Sequence, residues 1–271
     1  MVIRQIYCKS ILNKSGIPGI DYALNPYVGC AHKCAYCYAV FMKRFTNHPE
    51  PWGEFVDVKI NCPQILSRQL KGIKQKSKIS FGTVCDTYQP VEAKYELTRK
   101  CLEILIYYKH PISILTKSPL VLRDLDLILK FNEVEIGFTI TLLEEKIRKI
   151  FEPNSAQVGE RFNALKILSQ NKILTWVFVA PLLPCFSDDE ETLRQLFDLS
   201  EKSGAYSITF DSLNPYPKVW NNVIRLVKEN FPERLTHYQH YYLNKARYEK
   251  QIKERISDIG KRFKIKFDFA F

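Results

Sequence analysis

Short runs rich in Val, Ile, Phe and Thr alternate with helix-length amphipathic runs through most of this chain. Strand-like runs fall at residues 22–27, 55–60, 78–85, 112–116, 135–141, 174–180 and 207–213, each bounded by Gly, Pro, Asn or Asp. Helix-like runs lie between them, at 63–72, 91–108, 120–131, 144–151, 159–170 and 188–203. Ile65, Leu66, Gln69 and Leu70 illustrate the one-faced spacing of such a helix, and Ser187, Asp188 and Asp189 supply a helix start that Gly204 closes. Strand–helix repetition of this length predicts parallel strands joined by crossover helices. The expected fold class is α/β, a partial TIM barrel of about six parallel strand–helix units. In barrels of this kind the chemistry sits at the C-terminal ends of the strands. That end is where the pattern puts a cysteine-rich loop after the first strand, together with Cys85 and Asp86, Lys117 and Thr141.

After Pro217 the rhythm changes to long helices. Ile252, Ile256, Ile259 and Phe263 step by four, three and four, an apolar stripe expected to dock on the barrel. Residues 264–271 alternate like a closing edge strand. The division expected is therefore a core at 1–216 and a mainly helical extension at 217–271. From Lys218 onward there are 13 Lys and Arg against 6 Asp and Glu, so +7 of the net charge of +11 lies in that extension. Tyr238, Tyr241, Tyr242 and Tyr248 interleave there with Lys245, Arg247 and Lys250. Aromatic faces beside cations suit stacked bases and phosphates; packing against the barrel is the other use of the same tyrosines. The opening residues MVIRQIYCKS lack the apolar core of a secretory signal, and the longest apolar run, 173–184, is too short for a membrane span. The chain reads as cytoplasmic, with no membrane partner. In a reducing compartment clustered cysteines point to metal ligation or catalysis rather than to disulfides.

The cluster itself is NPYVGCAHKCAYCYA, residues 25–39, with Cys30, Cys34 and Cys37 on one loop. A structural zinc site uses four ligands, usually as two pairs, and no second C-x-x-C exists; His32 is cramped between Cys30 and Cys34. A redox pair would use Cys34 and Cys37 and leave Cys30 unexplained. Three thiolates suit an iron–sulfur cluster whose fourth iron is left open to something else. Cys8, Cys62, Cys101 and Cys185 are scattered, so a single cluster is expected, with Cys101 in a helix core.

The spacing Cys30, Cys34, Tyr36, Cys37 resembles the radical S-adenosylmethionine (radical SAM) signature. Further segments, TVCDTYQPVEAKYELTRKCLEIL, ILTKSPLVLRDLDLI, GFTITLLEEKIRKIFEPNSAQVGERFNALKIL and VAPLLPCFSD, follow in the order seen in the branch related to spore photoproduct lyase. The resemblance covers roughly residues 22–216. It implies a 4Fe–4S cluster held by Cys30, Cys34 and Cys37, S-adenosylmethionine chelating the open iron, and reductive cleavage that releases a 5′-deoxyadenosyl radical. By the same resemblance Tyr36 lies near the adenine and Lys117 meets the SAM carboxylate. Thr139 and Thr141 meet the methionyl or ribose part, and Asp86, Glu92, Glu152 and Arg161 touch SAM or shape its pocket. Cys85 is the counterpart of a hydrogen donor, or else a small buried strand residue. His32 and the NPY before the cysteines are expected to orient the loop. The chemistry requires an external electron donor of flavodoxin or ferredoxin type. The function expected is lesion repair or modification of nucleic acid. A peptide or small metabolite as substrate, and a non-enzymatic iron–sulfur protein, are the alternatives.

Overall fold

The computed structural model describes residues 1–74 and 76–271. In chain order the strands are β1 Val2–Ile6, β2 Leu12–Lys14, β3 Tyr22–Leu24, β4 Tyr27–Val28, β5 Phe55–Lys59, β6 Ile79–Phe81, β7 Ile112–Thr116, β8 Val134–Thr139, β9 Leu174–Leu182, β10 Ser207–Ser212 and β11 Lys266–Phe269. The helices are α1 Cys62–Leu70, α2 Glu92–Tyr95, α3 Leu97–Leu105, α4 Leu125–Ile128, α5 Glu145–Phe151, α6 Val158–Gln170, α7 Glu190–Lys202, α8 Pro217–Asn230, α9 Leu235–Leu243 and α10 Lys245–Gly260.

Eight strands form one open sheet in the order β11-β10-β9-β8-β7-β6-β3-β2, every pairing parallel except β2 with β3. This is a partial TIM barrel without closure. The run at 264–271 is the edge strand, paired to β10. Strand β7 and the second half of β8 are largely buried on both faces, as strands covered by crossover helices must be. Ile114, Ile136, Val177 and Ile208 line the sheet with no exposed surface, and Leu165, Leu168, Leu196 and Phe197 pack from the helices.

Several elements differ from the sequence expectation: the strand expected over 78–85 ends at Phe81, and the helix expected over 120–131 is a 3-10 turn, Pro119–Asp124, followed by the short α4. The run at 55–60 is not a barrel strand: β5 lies between β1 and β4 in a separate three-stranded sheet. Its parallel partner is the N-terminal strand, distant in sequence, and only that non-local pairing decides its place. The run at 22–27 splits between the two sheets because Pro26 offers no N–H to continue a ladder. The helix expected over 91–108 breaks at Glu96, which turns left-handed (φ 52°). There the Glu92 carboxylate accepts from Thr98 N at 3.0 Å and Arg99 N at 3.3 Å, capping the new helix α3, while Arg123 pairs with it at 2.7 Å. Glu92 thus anchors a helix.

Helix α10 buries Ile252, Ile256 and Ile259 in the main core, and Phe263 stacks on Phe197 at 5.2 Å. Tyr238 and Tyr241 are buried too, in a second cluster with Val219, Val223 and Val227 of α8; Tyr242 stays half exposed. Cys101 is core, its sulfur 3.7 Å from that of Cys62. Among the described residues no helix is long and apolar enough to cross a membrane.

Candidate active site

An irregular loop has no ladder to satisfy its backbone, so other side chains must do it. Residues 29–37 follow β4 and are tied down from three directions. Gln89 accepts from Ala31 N at 2.8 Å and donates to Gly29 O at 3.1 Å. Asn154 donates to Ala31 O at 2.9 Å, and the Phe151 carbonyl at the end of α5 accepts from Ala35 N at 2.8 Å. Gly29 has φ 89° and lies against the Phe55 carbonyl oxygen, where a Cβ would not fit. Trp52 donates its indole N–H to the Cys37 sulfur at 3.3 Å. His32 is buried, with Nδ1 3.4 Å from Asp86 Oδ2; burial pushes its imidazole down more than Asp86 lifts it.

The strand ends deliver the rest. β6 stops at Gly82 (φ 86°), which packs on the Leu115 carbonyl, and the following turn presents Cys85 and Asp86. Asp86 accepts from Thr116 Oγ1 and Lys117 N, both at 2.7 Å, and from Tyr88 N at 2.9 Å. It therefore joins the ends of β6 and β7 beneath the cysteine loop. The Lys117 ammonium lies over the Tyr36 ring, 5.7 Å from its centroid, with no hydrogen-bond or ion-pair partner among the described residues. Burial lowers its basicity, but Cys34 and Glu152 more than offset this, so it stays charged.

Tyr36 donates its hydroxyl to Glu152, which also accepts from Ser155 at 2.8 Å and pairs with Arg161. Burial opposes ionisation of Glu152, yet Arg161 and then Lys117 prevail and hold its carboxyl at about 2. Arg161, fully buried, also donates to Thr139 O at 2.9 Å and Ala156 O at 2.8 Å. Most of the hydrogen-bonding capacity of this pair is directed at the protein. The Thr141 hydroxyl is buried without a partner. The Cys85 thiol faces Asn25 Oδ1 at 3.6 Å and Tyr27 O at 3.5 Å, and burial pushes it up to about 12.

So Cys30, Cys34, Cys37, Tyr36, Asp86, Lys117, Glu152 and Arg161 gather at the C-terminal ends of the strands, with Thr139 joined through its carbonyl. Sequence reasoning passed over Gln89, Asn154, Ser155 and Trp52. Gln89 stands inside the DTYQPVE segment, but only the tertiary fold brings its amide to the loop. Tyr38, half exposed directly after Cys37, donates its hydroxyl to the Thr83 carbonyl and closes the loop onto the Cys85 turn.

The donor set fits a 4Fe–4S cluster with a chelating ligand. Burial pushes all three thiols above their ordinary range, Cys34 to about 12, so bare thiolates are unfavourable and a bound cation would reverse that balance. Among the described residues no three His, Cys, Asp or Glu side chains converge as ligands of one ion would. A cuboid cluster asks for something else, each thiolate on its own iron. The Lys117 ammonium, over the Tyr36 ring and without a hydrogen-bond or ion-pair partner among the described residues, is the polar group beside the loop left over for an organic ligand.

The family model of the radical SAM superfamily matches residues 24–197. An uncharacterized protein of Methanocaldococcus jannaschii is 35% identical over 261 residues, 96% of this chain and 94% of that one. One from Mycobacterium tuberculosis is 25% identical over 283 residues, 99% and 83% of the two chains. Among solved structures, spore photoproduct lyase complexed with dinucleoside spore photoproduct superposes with a TM-score of 0.71 at 16% identity, covering 99% of this chain and 82% of that one. Streptococcus suis SuiB bound to its precursor peptide SuiA gives 0.56 at 13% identity, with 100% and 49% covered.

Proposed function

We propose that this chain, which belongs to the radical SAM superfamily and so works with a 4Fe–4S cluster and S-adenosylmethionine, is a radical enzyme that repairs or modifies nucleic acid. The observation that carries the reading is the loop of three thiols, Cys30 buried and Cys34 and Cys37 half-buried, beside a Lys117 ammonium without a hydrogen-bond or ion-pair partner among the described residues, at one end of a parallel sheet. When bound, the reduced cluster would supply one electron to the SAM sulfonium, whose cleavage would yield methionine and a 5′-deoxyadenosyl radical able to abstract hydrogen. Cys30, Cys34 and Cys37 hold the cluster. Lys117 receives the SAM carboxylate through a charge-assisted hydrogen bond. Thr139 and Thr141 line the pocket beside it. Tyr36 borders the adenine, its ring fixed by Glu152, which Arg161 in turn holds ionised. Asp86 orders the loop beneath. Cys85, the thiol next to Asp86, is assigned as hydrogen-atom donor to a product radical; the thiyl radical this leaves would be returned to the thiol by one electron from the external donor and a proton.

Nucleic acid as substrate is supported by the likeness in fold to spore photoproduct lyase and by the +7 charge of residues 218–271. An acidic one-electron donor of flavodoxin or ferredoxin type supplies the reductant. The test is anaerobic: load the protein with iron and sulfide, reduce it, add SAM, and quantify 5′-deoxyadenosine with and without UV-irradiated DNA. Wild type should form the nucleoside and Cys37→Ala should not, with damaged DNA raising the yield. Equal yields from both proteins would sink the mechanism; no response to any nucleic acid would sink the substrate assignment alone.

A further inference from the structure

A cleft of about 540 Å³ opens between the loop after β9 and one continuous face of α9 and α10. Its volume is that of a small-ligand pocket. None of the groups assigned above to the cluster or SAM lines it. Yet it stands at the same end of the sheet, because Pro184 and Cys185 follow β9 and Tyr241 donates to Leu213 O just past β10.

Its walls have a consistent character. Arg247, Gln251 and Arg255 are spaced i, i+4, i+8 on α10, and His237 and His240 face them from α9. Lys245 on the same helix is paired with Glu249 and Arg255 donates to Asp188 O at 2.6 Å, whereas Arg247 meets no carboxylate among the described residues. The single acid in the lining is Asp188, and its oxygens already accept from Tyr248 at 2.9 Å and Cys185 N at 2.8 Å. Burial pushes that carboxyl above its usual range, which lessens the negative charge further. The floor is apolar and aromatic: Ile252, with Tyr241 and Tyr248 edge to face at 4.8 Å. Cations and N–H donors above an aromatic floor fit an anion joined to a flat ring.

We propose that this cleft binds the phosphate of a nucleotide, with Arg247 and Arg255 on the anion and the half-buried Tyr248 ring beneath the base. The phosphate is that of a nucleic-acid strand crossing the sheet end, in which respect the inference rests on the substrate reading above, or of a free nucleotide of the same chemistry.

The cluster-loaded protein is titrated into a short fluorescein-labelled oligothymidylate at several salt concentrations, and separately with thymidine 5′-monophosphate. Arg247→Gln, which removes a guanidinium that pairs with no carboxylate among the described residues, is compared with Arg247→Gln/Arg255→Gln and with Arg225→Gln/Lys228→Gln on α8, a control that loses the same charge as the double cleft variant. The cleft variants should weaken oligonucleotide binding about tenfold, and flatten the dependence of log affinity on log salt by about 0.7 for each phosphate no longer neutralised. The control should change affinity less than about twofold. Equal losses in cleft and control variants would reveal diffuse attraction and overturn the proposal, as would binding indifferent to all of them. Monophosphate bound by wild type and lost in the cleft variants, with the oligonucleotide unbound, would keep the cleft and remove nucleic acid as substrate. Oligonucleotide bound equally by wild type and cleft variants would do the reverse. No binding of either probe would overturn the cleft outright.

Discussion

Glu152 and Arg161 are a buried ion pair whose partners are all protein atoms, and such a pair is costly to halve. Glu152→Gln leaves the guanidinium buried beside a neutral amide and should destabilise the fold by about 3–5 kcal/mol in chemical denaturation. The pH dependence has a definite sign. Arg161, Lys117, Tyr36 and Cys34 face the carboxyl, and its folded value of about 2 lies below the unfolded 4.5. Its stabilisation is therefore complete above 4.5 and lost as pH falls toward about 2. At about 1.4 kcal/mol per unit it amounts to about 3 kcal/mol. The wild-type melting temperature should drop steeply across that window, and the Glu152→Gln variant, less stable at neutral pH, should drop less; parallel curves would show that the carboxylate is not held as described. Lys117 behaves differently, because its head group has no hydrogen-bond or ion-pair partner among the described residues, only the Tyr36 face and the field of Glu152. Lys117→Gln should lower stability by only about 1 kcal/mol and leave iron content unchanged, while SAM binding, read by calorimetry, weakens about tenfold or more. Undiminished affinity would remove Lys117 from the SAM site.

At the level of elements, the loop and its clamps separate what local sequence reveals from what it hides. The spacing of Cys30, Cys34 and Cys37 is local and was legible, as were the strand ends that carry Asp86, Lys117 and Thr139. Gln89 and Asn154 were not, because their partners at Gly29 and Ala31 lie far away in sequence and only the packed sheet brings them together. The same holds for β5: its apolar run says strand, but a strand's sheet is set by its partner, and that partner is β1 rather than a barrel strand. The tyrosines of α9 show the opposite trap. Alternation with basic residues left open an exposed face or packing on the barrel, and the helical period turns Tyr238 and Tyr241 inward and leaves Tyr242 outside. A clamp can be tested apart from the chemistry. Gln89→Leu keeps the volume but leaves Ala31 N without its acceptor and Gly29 O without its donor, buried groups whose loss costs about 1–3 kcal/mol each. Iron retention during gel filtration after cluster loading should fall well below wild type; full retention would show that the loop keeps its shape without the amide.

For the whole molecule, the question is whether residues 217–271 form an appendage or part of the fold. Sequence rhythm proposes a boundary at Pro217, and the charge bias agrees. Packing argues that the boundary is one of composition and not of stability. β11 completes hydrogen bonding along β10, and Ile252, Ile256 and Ile259 enter the main core alongside Phe197. Deleting the extension would expose the outer edge of β10 and the apolar outer face of α7, an open strand edge beside bare hydrophobic surface. Three buried isoleucines at about 2–5 kcal/mol each exceed the whole stability of many domains, about 5–15 kcal/mol. A chain ending at residue 216 should therefore aggregate or melt without a cooperative transition, although every proposed cluster and SAM ligand is still present. Ile256→Ala in the full chain, the milder form of the same perturbation, should lower stability by about 2–5 kcal/mol and retain a single transition. A truncated chain that melts cooperatively and still loads its cluster would make the extension a separable module. Its cleft would then be a device for recruiting ligand rather than a wall of the active-site end.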